Sequence, residues 1–298
     1  MINRNSKILP MVLLLVLSMI WGTSFILTKR GLESYSNFQL AAFRMLICSV
    51  VMLPFLFRAV KLINKKNIGP ILIMNIIGNG IPALLFATAQ TKVESSLAGI
   101  LNSLTPLFTM IVGMFWYKIK THWIGVLGIF IAFAGAVGLF SENLSTFFSG
   151  QNWYGLLIAL ATFFYGINSN NVKQNLKDMD SISITALTYF IIGPACGIYL
   201  LFSDFSYALS TPHYVQNFLS IAALAVFGSA LASLGWNVLL KRTTAVAASS
   251  VTYIIPLFAI VWGMLDNEKI SVIQLSSMGV ILLGVFLVNK GKENSLKQ

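Results

Sequence analysis

The chain has 298 residues, of which 57% are hydrophobic and only 10% charged, and its mean hydropathy is +0.81. A soluble domain of this length carries about a quarter of its residues charged, so the composition excludes a soluble enzyme, a disordered region and a disulfide-stapled secreted domain. The formal net charge of +11, from 20 Lys and Arg against 9 Asp and Glu, fits the basic cytoplasmic loops of a membrane protein and calls for no nucleic-acid partner.

In chain order, apolar stretches long enough to cross a hydrocarbon core about 30 Å thick fall at 9–28, 38–57, 69–90, 95–116, 122–140, 153–172, 183–203, 218–240, 246–265 and 271–289. Arg4 and Lys7 precede the first of them, as in a signal peptide. Its apolar run is too long for one, however, and no small-x-small cleavage site follows, so it reads as a retained helix. The ten spans divide the basic residues unevenly. Fifteen Lys and Arg lie on the side of the termini, four (Lys29, Arg30, Lys92 and Lys269) on the other, and Arg44 lies inside a span. That bias places both termini in the cytoplasm. The chain is therefore expected to be an all-α integral membrane protein with ten transmembrane helices, multi-pass in the plasma (inner) membrane, with the lipid bilayer as its surroundings.

Internal similarity divides these spans into two sets. A shift of 150 pairs Gly78 with Gly228, Phe86 with Trp236, Pro106 with Pro256, Phe108 with Phe258 and Gly113 with Gly263. A shift of 144 pairs Trp21-Gly22 with Tyr165-Gly166 and Lys29 with Lys173, and a shift of 149 pairs Gly135 with Gly284. Five spans per half is an odd number, so the halves must be inverted relative to each other, with a cavity expected near the midplane between them. The divisions are 8–140 for the first five-helix repeat, 141–151 for an external linker, 152–289 for the second repeat and 290–298 for a cytoplasmic tail.

With Trp21-Gly22-Thr23-Ser24-Phe25 late in the first span, Arg44 early in the second, Pro106 and Pro256 in the fourth and ninth, and glycines in the fifth and tenth, the chain resembles the EamA family of the drug/metabolite transporter superfamily. The resemblance covers residues 8–289. It implies export or exchange of amino acids or other small metabolites through a cavity lined by spans 1, 3, 4, 6, 8 and 9.

Arg44 is the one charge well inside a span, where it needs a partner, water or an anionic ligand. It serves either to recognise a carboxylate or phosphate, or to reach the interface by extending its long side chain. Trp21, Tyr165 and Trp236 suit the walls of a pocket, apolar on the face and polar at the edge. Packing and an interfacial belt are the alternatives. Amide and hydroxyl groups at depth (Asn79, Asn102, Asn168, Ser229, Asn237, Thr252 and Tyr253, with Asn75) must face one another, water or a solute; Asn79 with Ser229 and Asn102 with Thr252 are the preferred cavity pairs. Pro82, Pro106 and Pro256 remove backbone donors and are hinge candidates. Gly125, Gly128, Gly135 and Gly138 suit close helix packing.

Other motifs fail on context. Gly78-Asn79-Gly80-Ile81-Pro82-Ala83 mimics a dinucleotide fingerprint but lies inside an apolar span, and Asn143-Leu144-Ser145 is a formal glycosylation sequon. Cys48 and Cys196 lie in apolar runs, and neither they nor His122 and His213 form a metal set. No nucleotide loop or nucleophile–base constellation is present, so no enzyme activity, cofactor or metal is expected. The acids fall in loops, termini or span edges, Glu94 among them, which disfavours a central proton relay. The expected function is a secondary transporter working by alternating access. The rivals are a channel-like facilitator and a non-transporting scaffold or receptor. Repeat symmetry allows a tightly packed monomer.

Overall fold

A computed structural model describes residues 8–120, 122–141 and 153–295, and every regular element among them is helical. The sequon, nearly all of the expected linker and the last three residues lie outside the described residues. The elements in order are α1 (Ile8–Leu32), α2 (Asn37–Val60), α3 (Ile68–Asn75), a π-helical segment (Ile76–Gly80), α4 (Ile81–Ala89), α5 (Ser95–Asn102), α6 (Thr105–Phe115) and α7 (Trp123–Ser141). There follow α8 (Trp153–Asn175), α9 (Ser181–Thr188), α10 (Ile192–Leu201), α11 (Ser206–Ser210), α12 (Tyr214–Ala223) and a second π-helical segment (Leu224–Leu231). The chain ends with α13 (Ala232–Arg242), α14 (Ala245–Ser249), a 3-10 turn (Ser250–Tyr253), α15 (Ile255–Leu265) and α16 (Val272–Ser295).

Six helical stretches are long and apolar enough to cross a membrane: Leu9–Leu32, Asn37–Val60, Ile68–Ala89, Ser95–Phe115, Ser181–Leu201 and Tyr214–Arg242. Trp123–Gly138, Val251–Leu265 and Val272–Val288 are shorter apolar helices. The helix Trp153–Asn175 is long enough, but Asn168, Ser169, Asn170 and Asn171 make its last third polar. Large apolar side chains cover the outside, among them Phe57, Phe115, Leu201 and Phe202, all strongly exposed. A surface of this kind belongs in lipid.

Several spans are broken, and side chains repair the breaks. The three expected hinge prolines lie within the first two residues of a new segment: Pro82 in α4, Pro106 in α6 and Pro256 in α15. Pro106 and Pro256 follow a turn, where the missing N–H removes no helical bond, whereas α4 continues the π-helical segment without interruption in the helix Ile68–Ala89, so Pro82 leaves one carbonyl of that helix without its donor. Between α9 and α10 the buried Asn75 bridges the gap. Its amide donates to Leu187 O at 2.7 Å and Ile71 O at 2.9 Å, and its oxygen accepts from Ile191 N at 3.2 Å. Asn75 is thus placed as a splint.

Among the described residues the two positive-φ positions other than glycine, Lys118 (φ 52°) and Asn267 (φ 60°), each follow a helix that ends at a similar turn. In one, Ile119 N donates to Gly113 O at 2.9 Å; in the other, Glu268 N donates to Gly263 O at 2.9 Å. The glycines of α1 and α8 behave alike as well. A Cβ on Gly22 would lie 2.4 Å from Phe258 Cβ, and one on Gly166 would lie 2.8 Å from the Phe108 carbonyl carbon.

The closest backbone approach joins α7 to α16. A Cβ on Gly284 would lie 2.3 Å from Ala132 N and 2.7 Å from Gly128 O, whereas one on Gly279 of the same helix would meet nothing within 4 Å. Gly284→Ala must push the two helices apart, at about 1–3 kcal/mol. It is expected to lower the thermal unfolding midpoint of the detergent-solubilised protein, while Gly279→Ala leaves it unchanged or raises it. Equal midpoints for the two variants would contradict this packing.

Candidate functional site

The helices enclose a central cavity of about 140 Å³, close to the roughly 150 Å³ that admits a benzene molecule in an engineered protein core. Its apolar walls are aromatic. Trp21 of α1 and Trp236 of α13 pack with ring centroids 5.6 Å apart, and Phe86 of α4 stacks on Tyr165 of α8 at 5.9 Å with an interplanar angle of 21°. Phe25 lies against Phe86 at 5.9 Å.

Both π-helical segments border this cavity, the first through Gly78 and Asn79 and the second through Gly228 and Ser229. A π turn widens the helix and frees carbonyls, a geometry frequent at functional sites. The freed groups are answered in parallel ways. Asn79 Nδ2 donates to Met74 O at 2.8 Å and Ser229 Oγ to Leu224 O at 3.2 Å, each five residues back, while Trp21 Nε1 donates to Gly228 O at 3.0 Å. Ser229 in turn accepts from Arg44 Nε at 2.6 Å, which fixes the guanidinium at the cavity wall.

Ten of the eleven residues expected at a cavity line this one: Trp21, Arg44, Asn79, Asn102, Tyr165, Asn168, Ser229, Trp236, Asn237 and Thr252. Tyr253 is not among the lining residues; its hydroxyl donates to Val285 O at 2.6 Å. Asn237 is committed to Thr185 Oγ1 at 2.9 Å, and Thr252 to Ser249 O at 2.8 Å. The lining also includes Gln90, Thr188, Tyr189 and Ser233, which sequence reasoning did not select. Gln90 stands at the end of a span, where an amide reads as interfacial. Tyr189 sits in a long apolar run, yet its hydroxyl is 2.8 Å from Ser233 Oγ.

One end of the cavity, where Thr28 and Gln90 line it, adjoins an ionic cluster that runs from the buried Glu268 through half-buried Lys29 to exposed Arg30 and Glu33. Glu268 projects from the α15–α16 turn onto the N-terminus of α5. Its carboxylate accepts from Ser95 N at 3.0 Å, Ser95 Oγ at 2.7 Å, Ser96 N at 2.9 Å and Lys29 Nζ at 2.8 Å. Lys29 also pairs with Asp266 at 2.5 Å, and Arg30 pairs with Glu33 at 2.7 Å and with Asp266. Gly263 leaves the space the carboxylate needs, since a Cβ there would lie 2.6 Å from Glu268 Oε2. Burial alone would push the Glu268 carboxyl up, but the bonds from Lys29, Ser95 and Ser96 outweigh it and hold the group at about 2, against an ordinary 4.5. Nearby Glu94 is held above its ordinary value by burial and by the Glu268 charge. At the opposite end no carboxylate plays this part among the described residues: Lys173 Nζ donates to Leu240 O at 2.8 Å, and Ile119 takes the place after the positive-φ turn.

Apolar-sided helices around an aromatic cavity, with one fixed guanidinium and a ring of amides and hydroxyls, define a membrane-embedded helical protein with a solute-sized internal site. A profile described as the EamA-like transporter family matches residues 8–141 and again residues 152–290. The chain belongs to that family. It is 27% identical over 300 residues to the "Uncharacterized inner membrane transporter YedA" of Escherichia coli (strain K12), spanning 97% of this chain and 94% of that one. It is 28% identical over 285 residues to the "Uncharacterized transporter YyaM" of Bacillus subtilis (strain 168), spanning 92% and 91%. An uncharacterized transporter of Archaeoglobus fulgidus is 24% identical over 270 residues, spanning 90% and 94%. One solved crystal structure shares the fold, with a TM-score of 0.68 over 95% of this chain and 96% of that one at 16% identity.

The depressed Glu268 carboxyl gives a signed expectation. Ionised Glu268 stabilises the folded protein fully above its unfolded value of 4.5 and loses that contribution as pH falls toward about 2. The unfolding midpoint of the wild type should exceed that of Glu268→Gln at pH 6, and the gap should close as pH is lowered from about 5. A gap constant with pH would show that the carboxylate is not the stabilising form.

Proposed function

We propose that the protein is a secondary transporter that exports or exchanges small organic metabolites such as amino acids by alternating access. Ten membrane spans, in two inverted five-helix repeats with both termini cytoplasmic, form the scaffold of this reading. The observation that carries it is the cavity itself: residues from both family-matched segments line it, and each segment contributes a π-helical stretch to the same space.

The reading is supported by contacts that occur in exchanged pairs. Gly22 of the first segment meets Phe258 of the second, and Gly166 of the second meets Phe108 of the first. Asn79 with Met74 and Ser229 with Leu224 make equivalent bonds 150 residues apart. Two homologous units related by a pseudo-two-fold axis give this pattern, because what one presents to the other is returned. Rocking one unit against the other exposes the cavity to each side in turn. Pro82, Pro106 and Pro256, at the segment starts, are the proposed hinges. Trp21, Arg44, Tyr165 and Trp236, with the amides and hydroxyls around them, are the proposed substrate contacts. Tyr253, bonded to Val285 O, is proposed to act only by supporting the 3-10 turn that carries Thr252.

Two measurements test the reading. Untargeted mass spectrometry of the medium from cells expressing the wild type should find a few compounds enriched over an empty-vector host. A Trp21→Ala, Arg44→Ala variant at matched membrane level should lose about tenfold or more of that export, as expected when a charge-assisted bond and an aromatic contact are both removed. Counterflow separates a carrier from a channel-like facilitator, because internal unlabelled solute accelerates labelled uptake only in a carrier. Unimpaired export by the variant would remove these residues from the substrate path.

A further inference from the structure

The cavity's charge and its unmet hydrogen-bonding groups narrow the solute beyond a small metabolite. Arg44 is the only charged residue among those lining it, and no Asp or Glu is present there. The ion pairs of the described residues all lie in the Lys29 cluster, and none includes Arg44. With Nε committed to Ser229 Oγ, the guanidinium is held in one orientation, while its two terminal nitrogens have no acceptor among the described residues. Those nitrogens carry four N–H donors in the fork that matches a carboxylate. Elsewhere on the wall two acceptors are unmet: Asn168 Oδ1 and Gln90 Oε1 are buried without a hydrogen-bond partner. The Gln90 amide is oriented by its Nε2, which donates to Phe25 O at 2.9 Å.

We infer that the solute this cavity selects is a small organic acid of net charge −1, with an apolar body and a neutral hydrogen-bond donor such as a hydroxyl or amide N–H. The inference rests on the transport reading above and narrows it. A monoanion neutralises the cavity. A zwitterionic amino acid leaves a net positive charge in a low-dielectric space, and a cation adds a second one, with no carboxylate to offset it. The carboxylate pairs with the free fork of Arg44, and the body lies among Trp21, Trp236, Phe86 and Tyr165. The donor answers Asn168 or Gln90 after a turn of the side chain, since both oxygens are buried as they stand, and their isolation in the interior is otherwise unfavourable.

Proteoliposomes of the purified full-length protein test this with carbon-matched series. These are lactate, 2-hydroxyisovalerate, 2-hydroxyisocaproate and 3-phenyllactate, the corresponding 2-amino acids, and the amides of those amino acids, which are cations. A deproteinised bacterial extract is offered in parallel, and the solutes taken up are sorted by net charge at pH 7. Expected is uptake of at least one hydroxy acid, or of monoanions from the extract, at about tenfold or more over matched zwitterions and cations. Arg44→Gln should abolish that preference. Arg44→Lys keeps the charge but not the fork, so it should raise KM and keep the preference, and it serves as the test if Arg44→Gln does not fold. Equal or greater uptake of zwitterions or cations overturns the charge assignment and leaves the carrier reading standing. So does a preference for monoanions that survives intact in Arg44→Gln. No protein-dependent uptake of any solute from either source overturns the carrier reading, and this inference with it.

Discussion

Inside hydrocarbon a backbone carbonyl or N–H released from its helix has no water to turn to, and every feature of this protein's cavity depends on meeting that demand. The spans around the cavity are irregular, with two π-helical segments, a 3-10 turn and a helix interruption between α9 and α10. Irregular backbone is tolerated at this depth only where it faces protein or a polar space. Here the side chains that answer it are largely the ones that shape the cavity. Trp21 serves Gly228 O, Asn79 serves Met74 O, and Asn75 holds both sides of the α9–α10 gap. The polar character of the cavity and the integrity of its walls are therefore one property. Removing Trp21 or Asn79 to alter recognition also releases a backbone group.

The ionic cluster at the Lys29 end follows the same logic with a full charge. α5 begins at Ser95 with no cap from its own flanking residue, Glu94. The cap comes instead from Glu268, some 170 residues along the chain, and Lys29 compensates the charge that the cap brings into the interior. Each member justifies another: the helix start attracts the carboxylate, the carboxylate requires the lysine, and Gly263 gives the carboxylate room.

Much of this was legible in the sequence, for identifiable reasons. Hydropathy locates helices in lipid because the requirement for internal hydrogen bonding leaves few alternatives, and the cavity residues were found because polar or large aromatic groups deep in apolar runs are uncommon. Helix type was not legible. Gly78 and Gly228 marked both π segments, but a π turn and an α turn share nearly the same residues, and the glycines read equally well as packing sites. Nor was partnership over long separations. Asn79 was set apart from Asn75 by its repeat mate Ser229, but nothing local showed that Asn75 splints a break. Glu268 looked like an ordinary loop acid, because nothing local discloses that it reaches α5. Helix Trp153–Asn175 was expected as an apolar span, and its Asn-rich end gives it a composition unlike the others.

The turns at Lys118 and Asn267 share a backbone shape, but one is followed by Ile119 and the other by Glu268. The two ends of the molecule are thus tied differently, one by a carboxylate–ammonium pair and the other by lysine ammonium groups on backbone carbonyls, Lys173 on Leu240 O and Lys241 on Met179 O. An ammonium held by a backbone carbonyl has no partner ion, so dissolved salt finds no charge pair there to screen. A carboxylate and an ammonium, once drawn apart into water, are each stabilised by a counterion atmosphere that their closed pair, with Glu268 buried and Lys29 one-third exposed, feels less. Dissolved salt therefore weakens the joint at the Lys29 end more than the joint at the Lys173 end.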